Sequence, residues 1–187
     1  WFVALYLIAN HKKGISSIQL SKDISVTQKT AWFMLHRLRH ALETKSFSAP
    51  IMATTVECDE TYIGGKMKNK HKSKRIEGAQ GRSTKDKTPV FGLVERNGRV
   101  VAMKVKGTTK QDIHPIINQY VEKGANVMTD EWKAYNGLDA RFNHAIVKHG
   151  EGIYVVGEAH TNTIEGFWSL LKRGIVGIYY QVSVSHL

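Results

Sequence analysis

The spacing of apolar residues changes once along the chain, close to residue 50. Before that point they recur every three or four positions, as on one face of a helix. The spacing predicts a helix over residues 1–13, with Phe2, Leu5, Ile8 and Ala9 as its apolar stripe and Gly14 ending it. A short helix from Ser17 to Lys22, a turn at Asp23-Ile24-Ser25-Val26 and a longer helix to about Leu42 follow. Thr27 is placed to cap the longer helix, and Ala31, Met34, Leu35 and Leu38 form its buried side. Short helix, tight turn and longer basic helix make a helix-turn-helix outline, with Gln28, Lys29, Arg37, Arg39 and His40 polar or basic on the second helix.

Lys45 to Pro50 reads as a linker, dividing a helix-turn-helix segment (1–48) from a second domain (51–187). Beyond it, Thr55 to Ile63 is extended and stops at Gly64-Gly65, a turn with no helix behind it and therefore no phosphate loop. Lys66 to Lys87 has almost no apolar residues and is expected to be a mobile loop. Pro89–Arg96 and Arg99–Lys106 flank Asn97-Gly98, a hairpin signature. Gln111 to Lys123 has helical spacing and a stop at Gly124; Asn126 to Asp130 reads as a short buried strand. A helical turn over Trp132–Leu138, a strand over Ala145–Lys148 and a long helix over Asn162–Arg173 complete the order. Strand, hairpin, helix, strand, strand, helix predicts an α/β fold, a ribonuclease-H-like mixed sheet with flanking helices, preceded by the small all-α segment.

Three acids stand where these elements begin or end: Asp59 in the first strand, Asp130 closing the central one, Glu165 in the first turns of the last helix. Sixteen acids allow many triples, but 34 residues separate Asp130 from Glu165 and Lys172 follows seven positions later. Seven positions are nearly two helical turns, so Asn162, Glu165, Ser169 and Lys172 share a stripe opposite Ile164, Phe167, Trp168, Leu171 and Ile175. Carboxylates so placed suit two divalent cations roughly 3.5–4 Å apart acting on a phosphodiester. Hard oxygen ligands select Mg²⁺ or Mn²⁺. Asp59 would bridge both ions, Asp130 hold one and Glu165 the other, with Lys172 on a DNA phosphate. Alternation along the first strand sets Glu57 and Asp59 on one side and Glu60 on the other.

Charge adds a partner to this picture. The net +11 is uneven: residues 1–50 hold seven Lys/Arg against two acids, and residues 66–88 nine against two. Residues 51–65 hold three acids and no base. Basic segments around an acidic pocket suit a protein that holds a polyanion, expected to be double-stranded DNA, and does metal chemistry on it. The candidate contacts are Gln28, Lys29, Arg37, Lys66, Lys68, Lys70, Lys72, Lys74, Arg75, Lys172 and Arg173. His144, His149 and His160 fit no standard zinc spacing and have no Cys beside them. The lone Cys58 excludes an internal disulfide and is expected to be a buried strand residue; Trp132 and Trp168 read as packing residues. No apolar run reaches the roughly 18 residues of a membrane span, so a cytoplasmic location and no membrane partner are expected. The ends, Trp1 and His186-Leu187, read as cuts within helical structure.

The segments Glu57-Cys58-Asp59-Glu60-Thr61-Tyr62-Ile63-Gly64-Gly65-Lys66, Thr129-Asp130-Glu131-Trp132-Lys133-Ala134-Tyr135 and His160 through Gly174 resemble the ISXO-type DDE transposases of bacterial insertion sequences. The resemblance runs from about residue 50 to the end. It implies a ribonuclease-H-like core, release of 3′-hydroxyl ends at terminal inverted repeats, and their joining to target DNA by a homo-oligomer. It also implies that Asp59, Asp130 and Glu165 are the catalytic acids and Lys172 the trailing base; an Asn takes the third place in some members, which keeps Asn162 as a rival to Glu165. A nuclease of the same fold and a DNA-binding regulator with an inactive domain are the alternatives.

Overall fold

Strand β1 (Thr55–Ile63) lies at the centre of a five-stranded sheet, flanked on one side by β2 (Thr88–Glu95) and β3 (Val100–Lys104) and on the other by β4 (Asn126–Asp130) and β5 (Asn143–Val147), in the order β3-β2-β1-β4-β5. The computed structural model describes residues 1–43, 52–65, 67–78, 83, 85–147, 160–184 and 187. Contacts divide the chain into two compact units, one of Trp1–Ser48 with Ser169–Val182 and one of Ala49–Trp168 with Ser183–Leu187. The linker expected over Lys45–Pro50 falls outside the described residues. Residues 169–182, read from the sequence as part of the second domain, group with the N-terminal helices.

In the second unit, β2 (Thr88–Glu95) and β3 (Val100–Lys104) form the expected hairpin. Its turn puts the positive φ, 58°, on Asn97, one of the few residues besides glycine that tolerate it. β1 pairs antiparallel with β2 and parallel with β4 (Asn126–Asp130), which in turn pairs parallel with β5 (Asn143–Val147). An antiparallel meander followed by two parallel strands is the ribonuclease-H-like sheet that the order of elements predicts. The crossover from β3 to β4 is α4 (Lys110–Tyr120), opened by a capping box in which Thr109 and Asp112 exchange hydrogen bonds. It ends three residues before the expected Lys123. The Tyr120 carbonyl accepts the Met52 N–H and Val121 bridges to Met52, so a distant segment claims the last turn.

The strand faces follow alternation. Val56 and Cys58 point into a core with Phe91, Leu93, Ile113, Ile117, Val127 and Tyr135. Glu57 and Asp59 point the other way, toward α5 (Asn162–Gly174), whose Ile164 and Trp168 are buried as expected.

The first unit holds α1 (Phe2–Asn10), α2 (Ser17–Asp23) and α3 (Gln28–Glu43). Ser16 Oγ accepts the Gln19 N–H and Thr27 Oγ1 the Thr30 N–H, closing the N-termini of α2 and α3. Ala4, Leu20, Ala31, Met34 and Leu35 form the core. The stripe expected on α1 is corrected here: Ala4 is buried, while Phe2 is 88% exposed and Leu5 and Ala9 are exposed. Nearly every position of α1 is apolar, so periodicity could not select a face. Among the described residues, no helix is long and apolar enough to cross a membrane.

Candidate active site

β1 and β4 pair from Thr55–Asn126 to Glu57–Met128. Two residues further along that register lie Asp59 and Asp130. Carboxylate oxygens of Asp59, Glu60 and Asp130 come within 4.8 Å of one another. Two of these three were expected together. Glu60 was not singled out, because alternation turns it to the opposite face, where it is 8% exposed and accepts the Tyr135 hydroxyl at 2.7 Å. One of its carboxylate oxygens nonetheless belongs to the group. Burial of the Tyr135 hydroxyl, with Glu60 beside it, pushes the phenol well above its ordinary value, so it remains a donor.

Desolvation first, then the Glu60 and Asp130 charges, push the Asp59 carboxyl up to about 7, against hydrogen bonds from the Glu60 backbone and the Trp168 indole. Asp130 accepts the backbone N–H of Trp132 at 3.0 Å through Oδ1, and the Trp132 indole donates to the Thr108 carbonyl. Three crowded carboxylates are a donor set of hard oxygens, and like charges at this distance are relieved by a cation of charge two. The residues present fit Mg²⁺ or Mn²⁺.

Glu165 lies outside that group of three among the described residues; it is exposed on α5, with Thr161 Oγ1 donating to it at 3.4 Å. Asn162, Ser169 and Lys172 are exposed with it, so the polar stripe of the helix is as expected.

The start of α5 is held by Glu57, a residue whose side of the strand follows from alternation but whose role does not. Glu57, fully buried, accepts the backbone N–H groups of Thr163 (2.9 Å) and Ile164 (3.0 Å) and the Thr163 hydroxyl. Arg96 donates to the same carboxylate at 2.9 Å and to the His160 carbonyl at 3.0 Å. His160 Nδ1 lies 3.2 Å from Glu57 Oε1, though without hydrogen-bond alignment. Trp168 Nε1 donates to Asp59 Oδ2 at 3.0 Å. Cys58 is buried on the far face as expected, and burial pushes its thiol up. His144 bonds Thr129 Oγ1 at 2.8 Å, while His149 falls outside the described residues.

The basic candidates divide by what they already touch. On α3, Lys29 is exposed, Gln28 donates to Ser17 Oγ at 2.8 Å, and the Arg37 guanidinium sits 5.3 Å from the Phe33 ring centre. The stretch expected to be a mobile loop contains 3-10 turns at Met67–Asn69 and Lys72–Lys74. Arg75 staples it by donating to the carbonyls of Lys68 and Lys70, and Lys70 is paired with Asp86. Lys68, Lys72 and Lys74 are exposed; Lys66 falls outside the described residues. Arg173 donates to the Ser169 carbonyl on its own helix.

A protein of Halobacterium salinarum described as an uncharacterized protein in transposable element ISH50 is 32% identical over 182 residues, covering 92% of this chain. The chain spans about 60% of that relative's length. A crystal structure of a pre-cleavage Mos1 transpososome aligns with 92% of this chain and 73% of its own at 12% identity, with a TM-score of 0.29, too low to bear on the fold. Residues 51–187, which contain the acidic group, the clamp on α5 and the whole of the sheet, match the ISXO2-like transposase domain, and the chain belongs to that family.

Proposed function

We propose that this chain carries out metal-dependent DNA cleavage and joining as part of a transposase. The observation that carries the reading is the convergence of Asp59 and Asp130 from adjacent parallel strands at the point where their pairing ends. Asp59 and Asp130, with Glu165 or its rival Asn162, would hold the two ions, Mg²⁺ or Mn²⁺. Bound there, such ions activate an attacking oxygen and stabilise a leaving one at a phosphodiester.

The residues of the chain do the holding and aligning. The Trp132 N–H fixes one oxygen of Asp130. Glu57 fixes the helix start from which Asn162 and Glu165 project. Lys172, two turns beyond Glu165 on the exposed stripe, meets a DNA phosphate together with Arg173. Lys66, Lys68, Lys72 and Lys74 provide charge for the backbone, and Lys70 and Arg75 shape the loop that carries them. On α3, Gln28, Lys29 and Arg37 form the helix-turn-helix contact with duplex DNA. The natural substrates are the inverted-repeat ends of the element and a target duplex, bound by a homo-oligomer.

The test is cleavage of a duplex bearing an element end, in Mg²⁺, with a second duplex as target. Asp59→Ala and Asp130→Ala are expected to abolish cutting while leaving DNA binding intact. Cutting by Asp59→Ala at the parent's rate would falsify the assignment. Products joined to the target distinguish a transposase from a nuclease, and binding without any cutting by the parent would indicate a regulator.

A further inference from the structure

We infer that Trp168 is a positioning residue for Asp59, and that Gly92 is the gap in the sheet that admits it. The inference rests on the proposed role of Asp59 as a metal ligand.

Gly92 is the register partner of Asp59 on β2. A Cβ at Gly92 would stand 2.5 and 2.6 Å from Cζ2 and Cη2 of Trp168, closer than atoms can approach. The glycine therefore leaves the floor on which the six-membered ring of the indole lies. From that slot Nε1 reaches Asp59 Oδ2 at 3.0 Å, and the side chain is only 4% exposed. The backbone of Gly92 is ordinary, without a positive φ, so the absent side chain is the reason for glycine here.

An indole N–H suits this task chemically. It donates and cannot accept, so it neither ligates a cation nor takes a proton from one of its ligands. Bonded to Oδ2, it fixes the rotation of the carboxylate and leaves the remaining lone pairs for an ion. Trp168 also stands three positions after Glu165 on α5, one turn along the same helix. One hydrogen bond thus ties the first acid to the helix carrying the candidate third. Hydrogen-bond partners of metal-binding carboxylates change metal affinity by about 10–100-fold when removed.

The experiment is direct titration of the chain with Mn²⁺, following free ion by electron paramagnetic resonance, with thermal melts alongside. Trp168→Phe keeps an aromatic ring and removes the N–H; it is expected to weaken Mn²⁺ binding about 10-fold or more. Benzothienylalanine at position 168 keeps the bicyclic shape without the donor, and is expected to do the same with an unchanged melt. Gly92→Ala, which displaces the ring, should resemble both. Ile164→Val thins the same helix contact without touching Asp59, and should bind Mn²⁺ as the parent does. Binding within twofold of the parent in the benzothienylalanine protein overturns the inference, as does equal weakening in Ile164→Val. If Asp59→Ala itself binds Mn²⁺ like the parent, the proposed metal site fails instead.

Discussion

The carboxylate of Glu57 accepts the backbone N–H of Ile164 at 3.0 Å, so the central strand caps the helix that lies against it. Helix N-termini leave several N–H groups without partners, usually met by a residue just before the helix. Here a side chain more than a hundred positions earlier supplies the acceptor, and the Arg96 guanidinium balances its charge. Glu57→Gln keeps the shape but sets an amide NH₂ among donors and removes the negative charge that Arg96 and the helix N–H groups face. A hydrogen bond to a charged group contributes about 1.5–3 kcal/mol. Urea denaturation should show that loss in Glu57→Gln, and an unchanged midpoint would exclude the capping role.

Asp59 makes stability depend on pH. Its folded value of about 7 lies above the ordinary 3.8, so the folded chain holds a proton that the unfolded chain releases. The stability this contributes is fully present below about pH 4 and is lost as pH rises through about 7. At pH 8 in chelator, Asp59→Asn is expected to melt above the parent, and the difference should shrink as pH is lowered toward 4. A parent that melts above the variant at pH 8 would contradict the crowding described for this carboxyl. Added Mg²⁺ should raise the parent's melting temperature and leave the variant's nearly unchanged.

Tyr135→Phe removes the hydroxyl that donates to Glu60 in the buried core. One donor fewer on a buried carboxylate costs about 1–3 kcal/mol. Thermal or urea unfolding measures the loss, and a neutral result would mean that water replaces the hydroxyl.

Lys29 on α3 is exposed and bears directly on the DNA-binding proposal. Lys29→Ala should weaken duplex binding and reduce the slope of log K against log salt by about one unit per lost phosphate contact. Fluorescence anisotropy across a salt series provides the slope, and a slope equal to the parent's would remove Lys29 from the interface.

The sequence made some elements legible and others not, for reasons visible in particular residues. β1 and β4 begin and end where the pattern predicts, because Gly64 closes the first and alternation with burial defines the second. The end of α4 was set by Met52, which no local signal reveals. β5 runs over Asn143–Val147, two residues earlier than expected at its start, because its register follows β4. Asp59 and Asp130 could be paired from strand position together with the motifs around them. Glu57 and Glu60 could not be given roles, since their partners, Ile164 and Tyr135, lie on elements far along the chain. Trp168 read as packing; its bond to Asp59 depends on a glycine in a neighbouring strand.

Parallel pairing of β1 with β4 also has a consequence during synthesis. Asp59 and Asp130 are about seventy positions apart, and the partners of Glu57 lie a further thirty beyond. A growing chain can form its hairpin early, but Asp59, Glu60 and Asp130 come together only once β4 has emerged and docked. A chain interrupted anywhere before residue 130 would lack the group of acids on which the proposed cleavage rests.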